Sequence, residues 1–122
     1  MPLLENKSEI KAAIAIMHPV ARSAAQGLAN YLQENPETLK DDEARDKAYY
    51  GICFFAMEQA GWDMKDEKRM QDFFENHGQA VLNVAASIVV YAIKESEKQR
   101  KWGWLGKAAA FVVGAIVTSF FN

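Results

Sequence analysis

Three stripes of apolar side chains, each advancing by alternating steps of three and four residues, dominate this chain and make the α-helix its basic unit. The first runs through Ile10, Ile14, Met17, Ala21, Ala24, Leu28 and Tyr31. The second is Ala44, Ala48, Ile52, Phe55 and Gln59, and the third Met70, Phe73, His77, Val81, Val84, Ile88 and Tyr91. The fold class they imply is all-α, a small bundle of three to four helices. At 122 residues, 50% hydrophobic and 25% charged, the chain has the size and composition of one ordinary ordered domain.

Local signals set the expected boundaries. Asn6 followed by Glu9 resembles a capping box and starts a helix over 7–33. Pro19 falls inside that stripe without changing its phase, which predicts a kink near His18 rather than an end. Asn35-Pro36-Glu37 reads as a break. A second helix is expected over 41–60, with Asp41, Asp42 and Glu43 at its positive end and Gly61 as its stop. Around it Tyr49, Tyr50, Cys53, Phe54 and Met57 extend the apolar surface over most of the circumference, so Tyr49, Tyr50, Phe54 and Met57 form a candidate partner face. The third helix is expected over 66–97, with Gly78 interrupting it at a cost of roughly 1 kcal/mol against alanine.

The C-terminal tail, Trp102 to Phe121, carries Lys107 as its one charged residue. As a helix its 20 residues would measure about 30 Å, the thickness of a bilayer core. Lys98, Arg100 and Lys101 precede it, and Trp102 and Trp104 stand at that end, the pattern of a membrane interface. Lys107 can snorkel to the headgroups, leaving 14 uninterrupted apolar residues from Ala108 to Phe121. No secretory signal is visible, since MPLLENK is followed by Glu9 and Lys11 rather than an apolar run. These features predict a cytosolic helical domain over 1–101 and a membrane-inserted anchor over 102–122. The competing expectation is a cytoplasmic bundle whose tail is core. Within the tail, Gly106, Ala110 and Gly114 recur every four residues, a row that lets another helix approach closely.

Ala80 to Ile93 is nearly all apolar, with Asn83, Ser87 and Tyr91 on one face. Paired with the tail it would resemble, in general design, the hydrophobic hairpins of pore-forming toxins and the paired spans of holin-like proteins. That resemblance implies membrane permeabilisation. At 14 residues, with two polar side chains inside, the segment reads better as a buried core helix.

Chemistry is excluded on several counts. A net charge of -2 argues against nucleic acid as a partner. One cysteine and two histidines cannot make an ordinary zinc site, and the acidic group at Asp41 to Asp46 lacks the spacing of a calcium loop. Neither a metal nor a cofactor is expected. His18 and His77 read as histidines at a kink and a core edge, and Cys53, among apolar neighbours, as an inert thiol. Because no phosphate loop, nucleophile elbow or HExxH motif is present, the expected role is not enzymatic. It is a membrane-anchored helical interaction protein that contacts lipid and a protein partner or another copy. The alternatives are a homo-oligomeric bundle with its tail as core, and a membrane-permeabilising protein.

Overall fold

The computed structural model describes residues 2–100 and 109–122. Among them are five α-helices and no strand: α1 (Lys7–Ala15), α2 (Pro19–Glu34), α3 (Asp42–Gln59), α4 (Glu67–Arg100) and α5 (Ala109–Ser119), with a 3-10 turn at Pro36–Lys40. The all-α expectation holds, and the number of helices is five rather than three to four.

The additional helix comes from Pro19. The expected kink is a break: α1 ends at Ala15 and α2 begins on Pro19, with three residues between them. Proline has no N–H to continue the ladder, and the residue before it is pushed out of helical geometry. His18 accordingly takes ψ 140, and its Nδ1 accepts the Val20 N–H at 3.1 Å, capping α2. The apolar stripe keeps its phase across the break, so Ile10 and Ile14 bury with Ala21, Ala24 and Leu28 although the backbone has stopped and restarted.

Helix α2 lies at the centre. It packs on α4 most extensively, then on α3, then on α5. Ala21, Ala24, Ala25 and Ala29 are fully buried along it, with Leu28 and Leu32, and on the one broad face they share alanine permits close approach. At 34 residues, about 50 Å, α4 outreaches every other helix and runs past both α1 and α2. The apolar stretch 80–93 is its middle, where Val81, Val84, Ala85, Ile88, Val89 and Ala92 are buried. The polar residues of that stretch tie down the N-terminus: Ser87 Oγ accepts the Leu4 N–H at 2.9 Å, and Asn83 donates to the Pro2 carbonyl at 3.0 Å.

Among the described residues no helix is long and apolar enough to cross a membrane. Instead of the expected span, the described part of the tail is an 11-residue helix packed on α4 and α2. Val117 and Phe120 are buried in the shared core, and Phe120 meets Tyr91 edge to face at 5.6 Å between ring centres.

Helix α4 passes Gly78 without interruption. The buried Tyr49 of α3 presses its hydroxyl against this glycine, where any Cβ would overlap it. Alanine is the better helix former by about 1 kcal/mol. Gly78→Ala should nonetheless destabilise the fold by about 1–3 kcal/mol through this overlap, and adding Tyr49→Phe should recover part of the loss. Urea unfolding of the three variants measures this, and a more stable Gly78→Ala protein would show that the contact does not constrain α4.

Candidate interaction surface

Helix α3 is the least covered of the long helices. Asp41 caps it, accepting the Glu43 and Ala44 N–H groups at 3.1 and 3.2 Å. Gly61 ends it in the left-handed region at φ 82, the conformation a glycine adopts without strain. Its core side is Tyr49, Cys53, Ala56 and Met57. The stripe predicted to face the core, Ala44, Ala48, Ile52 and Phe55, lies about one residue step, near 100°, round the helix axis. Ala48 and Ile52 are half-buried there and Phe55 is 62% exposed. With aromatic and aliphatic residues on all sides, the stripe alone does not determine which side turns inward.

The candidate partner face is therefore split. Tyr49 and Met57 are buried, while Tyr50 is 49% and Phe54 38% exposed. Of the apolar grooves that flank α3 as a result, two hold its exposed rings. One, of about 320 Å³, runs between α2 and α3 and is lined by Val20, Ser23, Gly27, Ile52, Phe55 and Gln59 among others. The other, of about 480 Å³, lies between α3 and α4, lined by Tyr50, Phe54, Met70, Phe74, Glu67 and Glu75 with Gln71. Here the two backbones stand apart along most of their length, and rings bridge the gap. The Phe74 ring lies 5.1 Å from Tyr50 and 5.4 Å from Phe54, both edge to face, and 5.6 Å from Tyr49. Sequence reasoning missed Phe55 and the half-buried Met70 as groove residues because each falls in an apolar stripe that reads as core, and it did not single out Phe74, which lies one step off the stripe.

The titratable groups near these grooves are arranged for packing. Burial pushes the Cys53 thiol up to about 12, which leaves the nucleophilic thiolate scarce at neutral pH. Burial also raises the Tyr49 phenol, with smaller contributions from Cys53, Tyr50 and Asp46. At the α1–α2 break His18 and His77 face each other at 5.1 Å between ring centres, beside Trp62 and Phe73. Burial first, and His18 second, hold His77 below the ordinary histidine range. Among the described residues no three His, Cys, Asp or Glu side chains converge as metal ligands.

The remaining predicted positions are dispersed. Lys98 is exposed and pairs with Glu95 at 3.2 Å. Arg100 ends α4, Ala110 lies in the first turn of α5, and Lys101, Trp102, Trp104 and Gly106 lie outside the described residues. Gly114 is half-buried, with a Cβ position 3.7 Å from the Gln33 side chain of α2, on a shallow polar flank. Among the described side chains of the tail, Val117 of α5 and Phe120 just after it are the buried ones. No protein-family model matches the chain, and neither a curated protein nor a solved structure matches it.

The histidine pair gives a pH dependence of definite sign. His77 is neutral by preference in the fold, so the unfolded chain binds more protons once pH falls below about 6.5. Stability is full above that value and declines as pH drops toward the lowered native value. Between pH 7.5 and 5, the melting temperature of His77→Gln should fall less than that of the parent. Identical pH profiles would remove His77 from the account.

Proposed function

We propose that this chain is a non-enzymatic helical interaction protein in which α3 is the contact element and α5 is part of the bundle. The observation that carries the reading is the exposure of Tyr50, Phe54 and Phe55 around one helix, above grooves on both sides. Covering an aromatic side chain of this size stabilises a contact by about 1.5–3 kcal/mol when it leaves water fully, and adjoining exposed apolar residues mark interaction surfaces more often than scattered ones do. Enzymatic readings have less support, since Cys53 is buried with a raised pKa and His77 has a histidine as its ionisable neighbour.

Assigning α5 to the bundle favours the core reading of the tail over the anchor. A spanning tail would have to withdraw Val117 and Phe120 from the core they share with α2 and α4. Val117→Asp tests this without lipid: a carboxylate in that position should destabilise the purified chain by on the order of 3 kcal/mol. Unchanged unfolding would show that α5 does not hold the bundle and would return the tail to the membrane.

The contact role of α3 is tested with the paired variant Tyr50→Asp, Phe54→Asp; because both rings also pack against Phe74, a lower melting temperature is expected, and the comparison is made below the variant's unfolding transition, where circular dichroism shows it folded. In-cell crosslinking of the full chain should yield a discrete product that the variant loses and that Lys11→Glu, on exposed α1 surface, retains. The same product from all three proteins would rule out this face as the contact.

A further inference from the structure

We infer that the groove between α3 and α4 takes a basic amphipathic helix of a partner protein, an assignment that rests on the contact role proposed for α3. Its floor is apolar: Tyr50, Phe54 and Phe74 pack edge to face, with Met70 beside them. Rings this close leave no space between them for a small cation, so the floor fits a row of apolar side chains laid across it rather than a caged ammonium.

The charge of the walls selects the partner. Glu67 and Glu75 line the groove on α4, eight residues or about 12 Å apart, and no lysine or arginine lines it. That spacing matches cations two turns apart on a helix lying alongside. Asp46 stands one turn before Tyr50 on α3. The ion pairs among the described residues are Arg45–Asp42 and Lys98–Glu95, so neither groove glutamate is neutralised. Glu75 accepts a hydrogen bond from Gln71 at 3.3 Å. Arg69, the arginine of this end of α4, is engaged elsewhere, its guanidinium stacked 3.9 Å over Trp62. Lys47, Lys65 and Lys68, the nearest lysines in sequence, are exposed and form no ion pair with these carboxylates.

An apolar strip flanked by uncompensated carboxylates fits a helix whose apolar stripe is flanked by lysine or arginine, with aromatic anchoring supplying affinity and the carboxylates orientation and selectivity. An acidic helix is repelled. A second copy of this chain would place Glu67 and Glu75 against their own equivalents if the groove met itself, so self-pairing is disfavoured by the same charges.

The experiment uses the full chain and three synthetic 18-residue peptides: an amphipathic Leu/Lys helix, its Leu/Glu counterpart, and a scramble of the Leu/Lys peptide that destroys the stripe. Calorimetric titration at 0.15 M salt should show the Leu/Lys helix binding at least tenfold more tightly than either of the others. Glu67→Gln with Glu75→Gln should weaken it three- to tenfold and flatten its salt dependence, while Phe54→Ser should weaken it further and Phe55→Ser leave it unchanged. Equal binding of amphipathic and scrambled peptides, insensitivity to the glutamate variants, or no binding at all would overturn the basic-helix assignment. Tighter binding of the Leu/Glu helix, or concentration-dependent self-association lost in Phe54→Ser, would also overturn it while leaving α3 as a contact element. The crosslinking of Tyr50→Asp, Phe54→Asp decides that broader reading separately.

Discussion

The structure depends on how closely other helices can approach α2. Four alanines, at 21, 24, 25 and 29, occupy buried positions on its surface, and Leu28 and Leu32 fill the space between neighbours. Helices cross at 8–10 Å depending on the side chains at the contact, and alanine sets the lower end of that range. These small residues share one broad face of α2, roughly 140° wide at 3.6 residues per turn, and α3, α4 and α5 all reach this helix. Larger side chains at these positions would force one of the three away; α5 would keep its more extensive contact with α4.

Placing α2 at the centre determines the geometry of the surface. Helices α3 and α4 both pack on α2, but they diverge from each other, and the space between them is closed by Tyr49, Tyr50, Phe54, Phe73 and Phe74 rather than by backbone approach. Aromatic rings span such a gap with few conformations to lose and attract one another edge to face. The same rings therefore fix the distance between α3 and α4 and form the floor of the groove. Their position is set by the fold, so the surface exists before any partner arrives. Gly78 is part of this arrangement, since it admits the Tyr49 hydroxyl that would otherwise hold the two helices further apart.

Helix existence and phase were legible in the sequence, because the 3 and 4 spacing of Ile10 to Tyr31 and of Met70 to Tyr91 is a local property. The stop at Gly61 was legible for the same reason, whereas Asp41, read as a charge favoured at the positive helix end, proves to be the cap itself. The break at Pro19 was not distinguished from a kink, since an apolar stripe can keep its phase across three residues of non-helical chain. The inward side of α3 was not legible either: when apolar residues surround a helix, contact with α2 decides which of them are buried. Asn83 and Ser87 were recognised as a polar row, but their partners, Pro2 and Leu4, lie more than eighty residues away in the chain. The tail posed the same difficulty, because an apolar helix of this composition satisfies lipid and core equally until its neighbours are known.

The three interior glycines of the long helices, Gly27, Gly51 and Gly78, indicate where the fold and the proposed contact make different demands, Gly27 having the Ile52 side chain 3.0 Å from its Cβ position. Gly78 has a steric reason within the fold. Gly51, in the middle of α3, has none: it is exposed, and a Cβ there would meet nothing within 4 Å. Glycine in an exposed helix interior costs roughly 1 kcal/mol relative to alanine, so the fold alone would be more stable with a larger residue. The same helix leaves Tyr50, Phe54 and Phe55 in water, a second feature that folding does not require. Residues that forgo available stability tend to concentrate where activity constrains the sequence. Both departures fall within five positions of α3, which supports this helix, rather than the tail or the histidine pair, as the element through which the chain meets other molecules.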